Sequence, residues 1–285
     1  MEKQKRIAAV HDLSGLGKCS LTVALPVISA SGVECACLPT ALLSTHTGEF
    51  RGYTFKDLSD QLLPIAEHWK REGLEFDGIY SGYLACAEQE ETLEQVIELL
   101  SGTDTRLITD PVMADNGAYY SNHGDEMCRA FRRLCKRADI ITPNITEAAL
   151  LTGMPYMSGV HSPEYIDRLL CALSELCGGI VAVTGVCTGE NRVGVIAVDS
   201  KSGQRFLSER AAQPGVFYGT GDIFASAFSA LLVRGAGLRN AVETAVSLVA
   251  DSIERSVKRD TPRRCGVDFE GALPAYIQTV EALFK

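Results

Sequence analysis

Ile180-Val181-Ala182-Val183-Thr184-Gly185 is the stretch on which the fold turns. Its first four residues are apolar without a break. A strand with one wet face alternates apolar and polar residues, whereas a strand covered on both faces reads as a continuous apolar run. The Ile180–Thr184 segment is therefore a doubly covered strand, of the kind found in parallel sheets between helical layers. Before it, Pro163 to Cys177 has helical periodicity. After it, Val193–Val198 and Gln204–Leu207 form a hairpin through Ser200-Lys201-Ser202-Gly203.

Working outward, the same alternation recurs along the chain. Arg6–Val10, Val33–Leu38, Phe76–Tyr80, Arg106–Thr109 and Asp139–Thr142 read as strands. Leu21–Ser31, Phe55–Arg71, Glu88–Leu100 and Gly124–Lys136 read as helices, and two or three helices follow Asp222. Thr40 to Tyr53 is polar and irregular. Strand followed by helix, repeated about five times, predicts an α/β fold with a mainly parallel central sheet between two helical layers. No Pro/Ser-rich linker, low-complexity segment or repeat interrupts it, so residues 1–285 are expected to form one domain.

The chain of 285 residues carries a net charge of −9. Such a surface repels nucleic acid and anionic membrane. An anionic substrate would need a local positive site made of backbone N–H groups, a metal ion or both. The ten cysteines include no CxxC pair, and most lie within apolar segments, where cysteine acts as a small hydrophobe. A reduced, cytoplasmic protein is the expectation. Neither a signal peptide nor an apolar run of the ~20 residues needed for a membrane span is present.

In open parallel sheets ligands sit at the carboxyl ends of the strands. The first strand is followed by His11-Asp12-Leu13-Ser14 and Gly17-Lys18-Cys19-Ser20. This is not a nucleotide P-loop, because Asp12 stands where that loop needs glycine. Asp12 and Ser14 are instead candidates to bond a small polar ligand. The second strand leads to Ser44-Thr45-His46-Thr47-Gly48, a loop in which His46 and Thr47 suit a heteroaromatic ligand. The third ends in Ser81-Gly82-Tyr83. After the fourth, Asp110 and Asp115 can hold a hard cation, directly or through water. The fifth ends in Thr142-Pro143-Asn144, with Glu147 one turn on, either facing the same point or closing a capping box. The sixth ends in Thr184-Gly185, where a hydroxyl meets a phosphate.

Gly219-Thr220-Gly221-Asp222 runs directly into the apolar stretch Ile223 to Val233. Its glycines let several N–H groups point at one spot, and the helix that starts there adds its positive end. An aspartate inside this anion nest suits a base that takes a proton from a hydroxyl attacking a phosphate. Capping explains one polar residue per helix; it does not explain acids and amides gathered at successive strand ends beside such a nest.

These pieces, in this order, resemble the pyridoxal kinases of the ribokinase-like superfamily: Ser44–Gly48, Ser81–Tyr83, Asp110–Val112 with Asp115, Thr142–Asn144 with Glu147, and Gly219–Asp222, over roughly residues 6 to 257. The resemblance implies a ribokinase-like three-layer α/β/α fold and ATP-dependent phosphorylation of the 5′-hydroxyl of a B6 vitamer. It implies Asp222 as base and the amides of Gly219, Thr220 and Gly221 as anion hole. It places Asp12, Ser14, His46, Thr47 and Tyr83 around the vitamer and Asn144, Thr184, Val216 and Phe217 at the nucleotide. Asp110, Asp115 and Glu147 fall on the metal side, with Mg²⁺ and a monovalent cation (K⁺) as cofactors and a homodimer as the assembly. The first loop departs from the Ser-His that opens many of these kinases. Two other readings stay open: a kinase acting on hydroxymethylpyrimidine or another small alcohol, and a vitamer sensor without turnover. The related hydroxymethylpyrimidine kinases commonly carry a cysteine at the position of Asp222, which this chain does not. Ala114 stands near where some B6 kinases carry a lid cysteine, so covalent capture of an aldehyde there is not expected. Thr40–Tyr53 and Met113–Asn122 are the lid candidates.

Overall fold

A computed structural model describes residues 3–285. From the N-terminus, β1 (Arg6–Ser14) leads through α1 (Leu21–Ala30) to β2 (Glu34–Leu43), and the short β3 (Phe55–Asp57) folds back on it. Then come α2 (Ser59–Arg71), β4 (Gly78–Ser81), α3 (Gln89–Leu100) and β5 (Arg106–Thr109). A small hairpin, β6 (Ala114–Asp115) and β7 (Ala118–Tyr119), precedes α4 (Asp125–Arg137), β8 (Ile140–Ile141), α5 (Ile145–Thr152) and α6 (Pro163–Cys177). The meander β9 (Ile180–Gly189), β10 (Arg192–Asp199) and β11 (Arg205–Ala211) is followed by α7 (Thr220–Val233), α8 (Leu238–Lys258) and α9 (Leu273–Leu283).

The main sheet has nine strands in the order β11-β10-β9-β8-β5-β4-β1-β2-β3. The six strands from β9 to β2 run parallel, and β3, β10 and β11 are antiparallel additions at the two edges. Successive residues of each inner strand enter different cores. Ile7, Ala9, Tyr80, Ile140 and Ala182 pack with α1, α7, α8 and α9. Ala8, Val10, Ile79, Ile141 and Val181 pack with α2 to α6. The expected three-layer α/β/α fold is therefore the observed one, and double coverage explains the unbroken apolar runs.

Three expectations about elements are corrected. β1 does not end at Val10: it runs to Ser14, and His11, Asp12 and Ser14 are buried in it. A bulge between His11 and Leu13 keeps the pairing with β2. β2 likewise continues to Leu43 and passes through Pro39, which lies before the β3 pairing begins at Ala41 and so needs no N–H on that side. Phe55–Asp57 is an edge strand, not the start of a helix. All three of its residues are exposed, and the Asp57 carboxylate accepts the Ser59 N–H at 2.7 Å, marking where α2 begins.

β1 has β2 on one side and β4 on the other, so the chain reverses direction of winding at β1. A crevice opens at the carboxyl ends of strands at such a switch point. Among the described residues no helix is long and apolar enough to cross a membrane, and the ten cysteines are free thiols.

Candidate active site

The N-terminus of α7 is bare. Its cap is Gly219 at φ 80°, which offers no side chain. A Cβ there would overlap the Lys18 carbonyl oxygen, so the left-handed turn and the close approach both require glycine. The first intrahelical bond runs from Ile223 N–H to the Gly219 carbonyl at 3.0 Å. The amides of Thr220, Gly221 and Asp222 precede it and carry the positive end of the helix. The Thr220 hydroxyl turns back to donate to the Phe217 carbonyl at 3.1 Å and fixes the turn.

Asp222 is half-buried in the third helical position. Loss of solvent, reinforced by the charge of Asp12, pushes its pKa up to about 7, and the Ser20 backbone amide opposes that rise. A carboxyl group balanced near neutrality can accept a proton at physiological pH and release it again. Asp110, buried at the end of β5, accepts the Thr142 hydroxyl at 3.0 Å. Burial first, then the Asp222 charge, pushes its pKa up. Glu147 is raised by burial and then by Asp110. After burial, the Asp222 charge thus raises Asp110 and the Asp110 charge raises Glu147, a run of carboxyl groups of the kind found where positive charge binds.

Of the two readings of Glu147, the capping box is the one its hydrogen bonds show. One carboxylate oxygen accepts the Met113 and Ala114 amides at 3.1 and 3.4 Å. The other accepts the Asn144 N–H at 2.9 Å and completes a capping box with Asn144. Asn144 Nδ2 donates to the Ala114 carbonyl at 2.7 Å. This residue pair therefore binds the β5–β6 segment to the start of α5. Asp115 is exposed on β6, held by the Asn116 backbone and side chain. An oxygen-only donor set suits a hard cation such as Mg²⁺. Among the described residues no three acidic, histidine or cysteine side chains converge as a ready-made metal cage. Asp110, Asp115 and Glu147 are the residues that would hold such a cation.

Sequence reasoning missed Tyr120. It follows the β6–β7 hairpin, and its hydroxyl pKa is raised first by loss of solvent and then by the charges of Glu147, Asp115, Asp222 and Asp110. The Asn116-Gly117 turn, at φ 50° and 79°, is the signal that would have exposed the hairpin carrying it.

On the other side of Asp222, the Ser14 hydroxyl donates to Asp12 at 2.7 Å. Both are buried, and burial raises the Asp12 pKa against the opposing Ser20 and Ser14 hydroxyls. Tyr83 is buried with one ring face stacked on His123 at 5.2 Å. Burial first, then the Asp12 charge, pushes its hydroxyl pKa up. Thr47 is half-buried, in the loop that follows β2. The role expected of His46 needs correction. Its Nδ1 accepts the Gly48 N–H at 3.0 Å and its Nε2 donates to the Arg264 carbonyl at 2.6 Å, so both nitrogens are bonded to backbone and neither remains for a ligand. Thr184, half-buried, pairs with Asn144 across the sheet end. Val216 is exposed, and Phe217 lies under the Arg263 guanidinium at 4.5 Å.

Comparison with known proteins gives the arrangement its context. The family described as Phosphomethylpyrimidine kinase matches residues 24–263. A chloroplastic thiamine biosynthetic bifunctional enzyme of Arabidopsis thaliana is 32% identical over 241 residues, which is 81% of this chain but 43% of the longer plant protein. Among solved structures, pyridoxal kinase from Lactobacillus plantarum superposes with a TM-score of 0.88 at 31% identity, covering 98% of this chain and 99% of its own. A Bacteroides thetaiotaomicron protein assigned as a phosphomethylpyrimidine kinase, solved with pyridoxal, reaches 0.91 at 34% identity and covers 96% of each chain. The matched span covers most of the chain and includes Asp110, Asp115, Glu147 and the turn before α7, and the chain belongs to the phosphomethylpyrimidine kinase family.

Proposed function

We propose that the protein transfers the γ-phosphoryl group of ATP to the 5′-hydroxyl of a B6 vitamer, with Asp222 as the base, and that it acts as a single cytoplasmic kinase domain assembling as a homodimer. The observation that carries this reading is a carboxyl group held near neutrality among the free amides of a helix N-terminus. Neither feature alone requires phosphoryl transfer. Together they support a proton acceptor beside an anion cradle, as attack of an alcohol on a phosphate demands.

In this reading the vitamer lies against Tyr83 and Thr47 with its ring polar edge toward Asp12 and Ser14. Its 5′-hydroxyl meets Asp222, which takes the proton as the phosphoryl group moves through a loose transition state. The amides of Gly219, Thr220 and Gly221 receive the phosphoryl oxygens. Asp110, Glu147 and Asp115 would hold Mg²⁺, and the ion would supply charge neutralisation of the triphosphate. Asn144, Thr184, Val216 and Phe217 line the nucleotide side.

A second reading is favoured by one specific likeness, the 32% identity to a thiamine biosynthetic enzyme: the acceptor is hydroxymethylpyrimidine, whose primary alcohol presents the same chemistry. ADP release with purified protein, Mg²⁺ and K⁺ against pyridoxal, pyridoxine, pyridoxamine and hydroxymethylpyrimidine decides between them. The expected result is turnover on a vitamer that falls ~100-fold or more in Asp222→Asn. Turnover on the pyrimidine alone would move the assignment to that substrate. Tight binding with no turnover on any acceptor would identify a sensor.

A further inference from the structure

We infer that His46 is a positioning residue that couples the vitamer side of the site to the nucleotide side. The inference rests on the functional reading above and extends it. His46 is buried where four segments meet. Its backbone N–H donates to the Leu16 carbonyl at 3.2 Å, tying it to the loop after β1. Its ring covers Gly17 so closely that a Cβ there would run into the imidazole. Nδ1 holds the Gly48 N–H within its own loop, next to Thr47. Nε2 reaches across to the Arg264 carbonyl, 218 residues away in sequence. Tyr218, the neighbour of Gly219, packs against the ring with centroids 4.9 Å apart.

The far end of this contact is itself anchored at the nucleotide side. Arg263 lies over Phe217 at 4.5 Å and donates to the Pro214 carbonyl. Arg264 lies over Phe50 at 5.5 Å, returning a second tie to the loop of His46. Thr47, His46, Arg264, Arg263 and Phe217 thus form a continuous chain of contacts from one candidate ligand surface to the other. A vitamer that orders the loop of residues 44–50 fixes the His46 ring, and the ring fixes the Arg263–Cys265 turn against Phe217. By thermodynamic reciprocity a nucleotide that fixes the turn must favour the vitamer equally. This is a physical network with named hydrogen bonds, and its coupling is measurable.

The two ring nitrogens can be separated by substitution. Glutamine places an amide near the position of Nε2 and keeps the bond to Arg264. Asparagine places an oxygen near the position of Nδ1, keeps the bond to Gly48 and loses Arg264. Calorimetric titration of pyridoxal with and without Mg-ADP reads the coupling factor. We expect about tenfold tightening by Mg-ADP in the wild type, within the usual range of such couplings. His46→Gln should stay within about threefold of that factor and His46→Asn should fall below about twofold, following the Arg264 bond. Wild-type coupling in His46→Asn, or no coupling in the wild type, overturns the inference. If the wild type binds neither ligand, the functional reading fails first and takes the inference with it. A measurement that needs no variant runs alongside: pyridoxal alone should slow amide exchange in residues 262–267 of the wild type, and unchanged exchange there also overturns it.

Discussion

Asp222 and Gly219 divide the work at the turn before α7, one by charge and one by shape. Because Asp222 must be ionised to accept a proton and its pKa is about 7, kcat/KM for the vitamer should fall tenfold per pH unit below about 7. A profile flat down to pH 5 would remove Asp222 from the role of base. Gly219→Ala forces a Cβ against the Lys18 carbonyl at a left-handed φ. It should destabilise the protein by roughly 1–3 kcal/mol and lower kcat by 10²-fold or more, since the amides it aims are those of an anion hole. Thermal melting with steady-state kinetics checks both. The Gly219–Asp222 signal was legible in the sequence because the glycines and the apolar run lie side by side. The duty of His46 was not, because nothing local announces a partner carbonyl at residue 264. A histidine among hydroxyl residues looks like a ligand group until its nitrogens are traced.

Elements were legible where burial alone dictates pattern and illegible where polar residues are buried. The inner strands and the long helices follow from apolar periodicity. The extension of β1 through His11, Asp12 and Ser14 does not, because buried polar residues at a strand end read as loop. The strands of the β6–β7 hairpin are only two residues each, too short for alternation to show. Its Asn116-Gly117 turn is nonetheless a strong hairpin signal. Tyr120 follows the hairpin, its hydroxyl pKa raised by burial and by the nearby acids, and Gly117 N–H is tied to the Thr146 hydroxyl of α5 at 3.0 Å. Removing the Tyr120 hydroxyl should lower kcat/KM about tenfold, the size expected for one hydrogen bond to a charged group, and leave the melting temperature within ~2 °C, the scale of a surface substitution. Equal activity of Tyr120→Phe would confine the hairpin to a structural part. Asn144→Ala should be the harsher change at this scale. It removes the cap of α5, worth ~1 kcal/mol, and releases the β6 backbone from Ala114.

For the whole molecule, gathering Asp110, Glu147 and Asp222 in one crevice has a thermodynamic sign. The folded-state pKa of Asp222, about 7, lies above the unfolded value of ~3.9. Between them the folded chain binds more protons than the unfolded one, so stability declines as pH rises from about 4 to about 7. Asp110 and Glu147, raised in the same direction, add to the decline. Ligand-free Asp222→Asn should therefore melt higher than wild type at pH 8, by about 1–2 kcal/mol or roughly 2–8 °C, and no higher at pH 4. Scanning calorimetry at the two pH values tests this, and equal shifts at both would sink it. A different consequence follows from how the two cores are shared along the chain. The layer of α2 to α6 is contributed by consecutive residues from 59 to 177, but α1 waits for α7, α8 and α9. A ribosome therefore delivers a nearly complete sheet with one apolar face still bare. That face, centred on Ile7, Ala9 and Tyr80, is sealed by the same helix whose first turn has no side-chain cap. The nascent chain gains its proposed anion cradle and the cover of its second apolar face in one act of docking. A molecule stopped short of Gly219 would expose a surface for chaperones or for its own copies to seize.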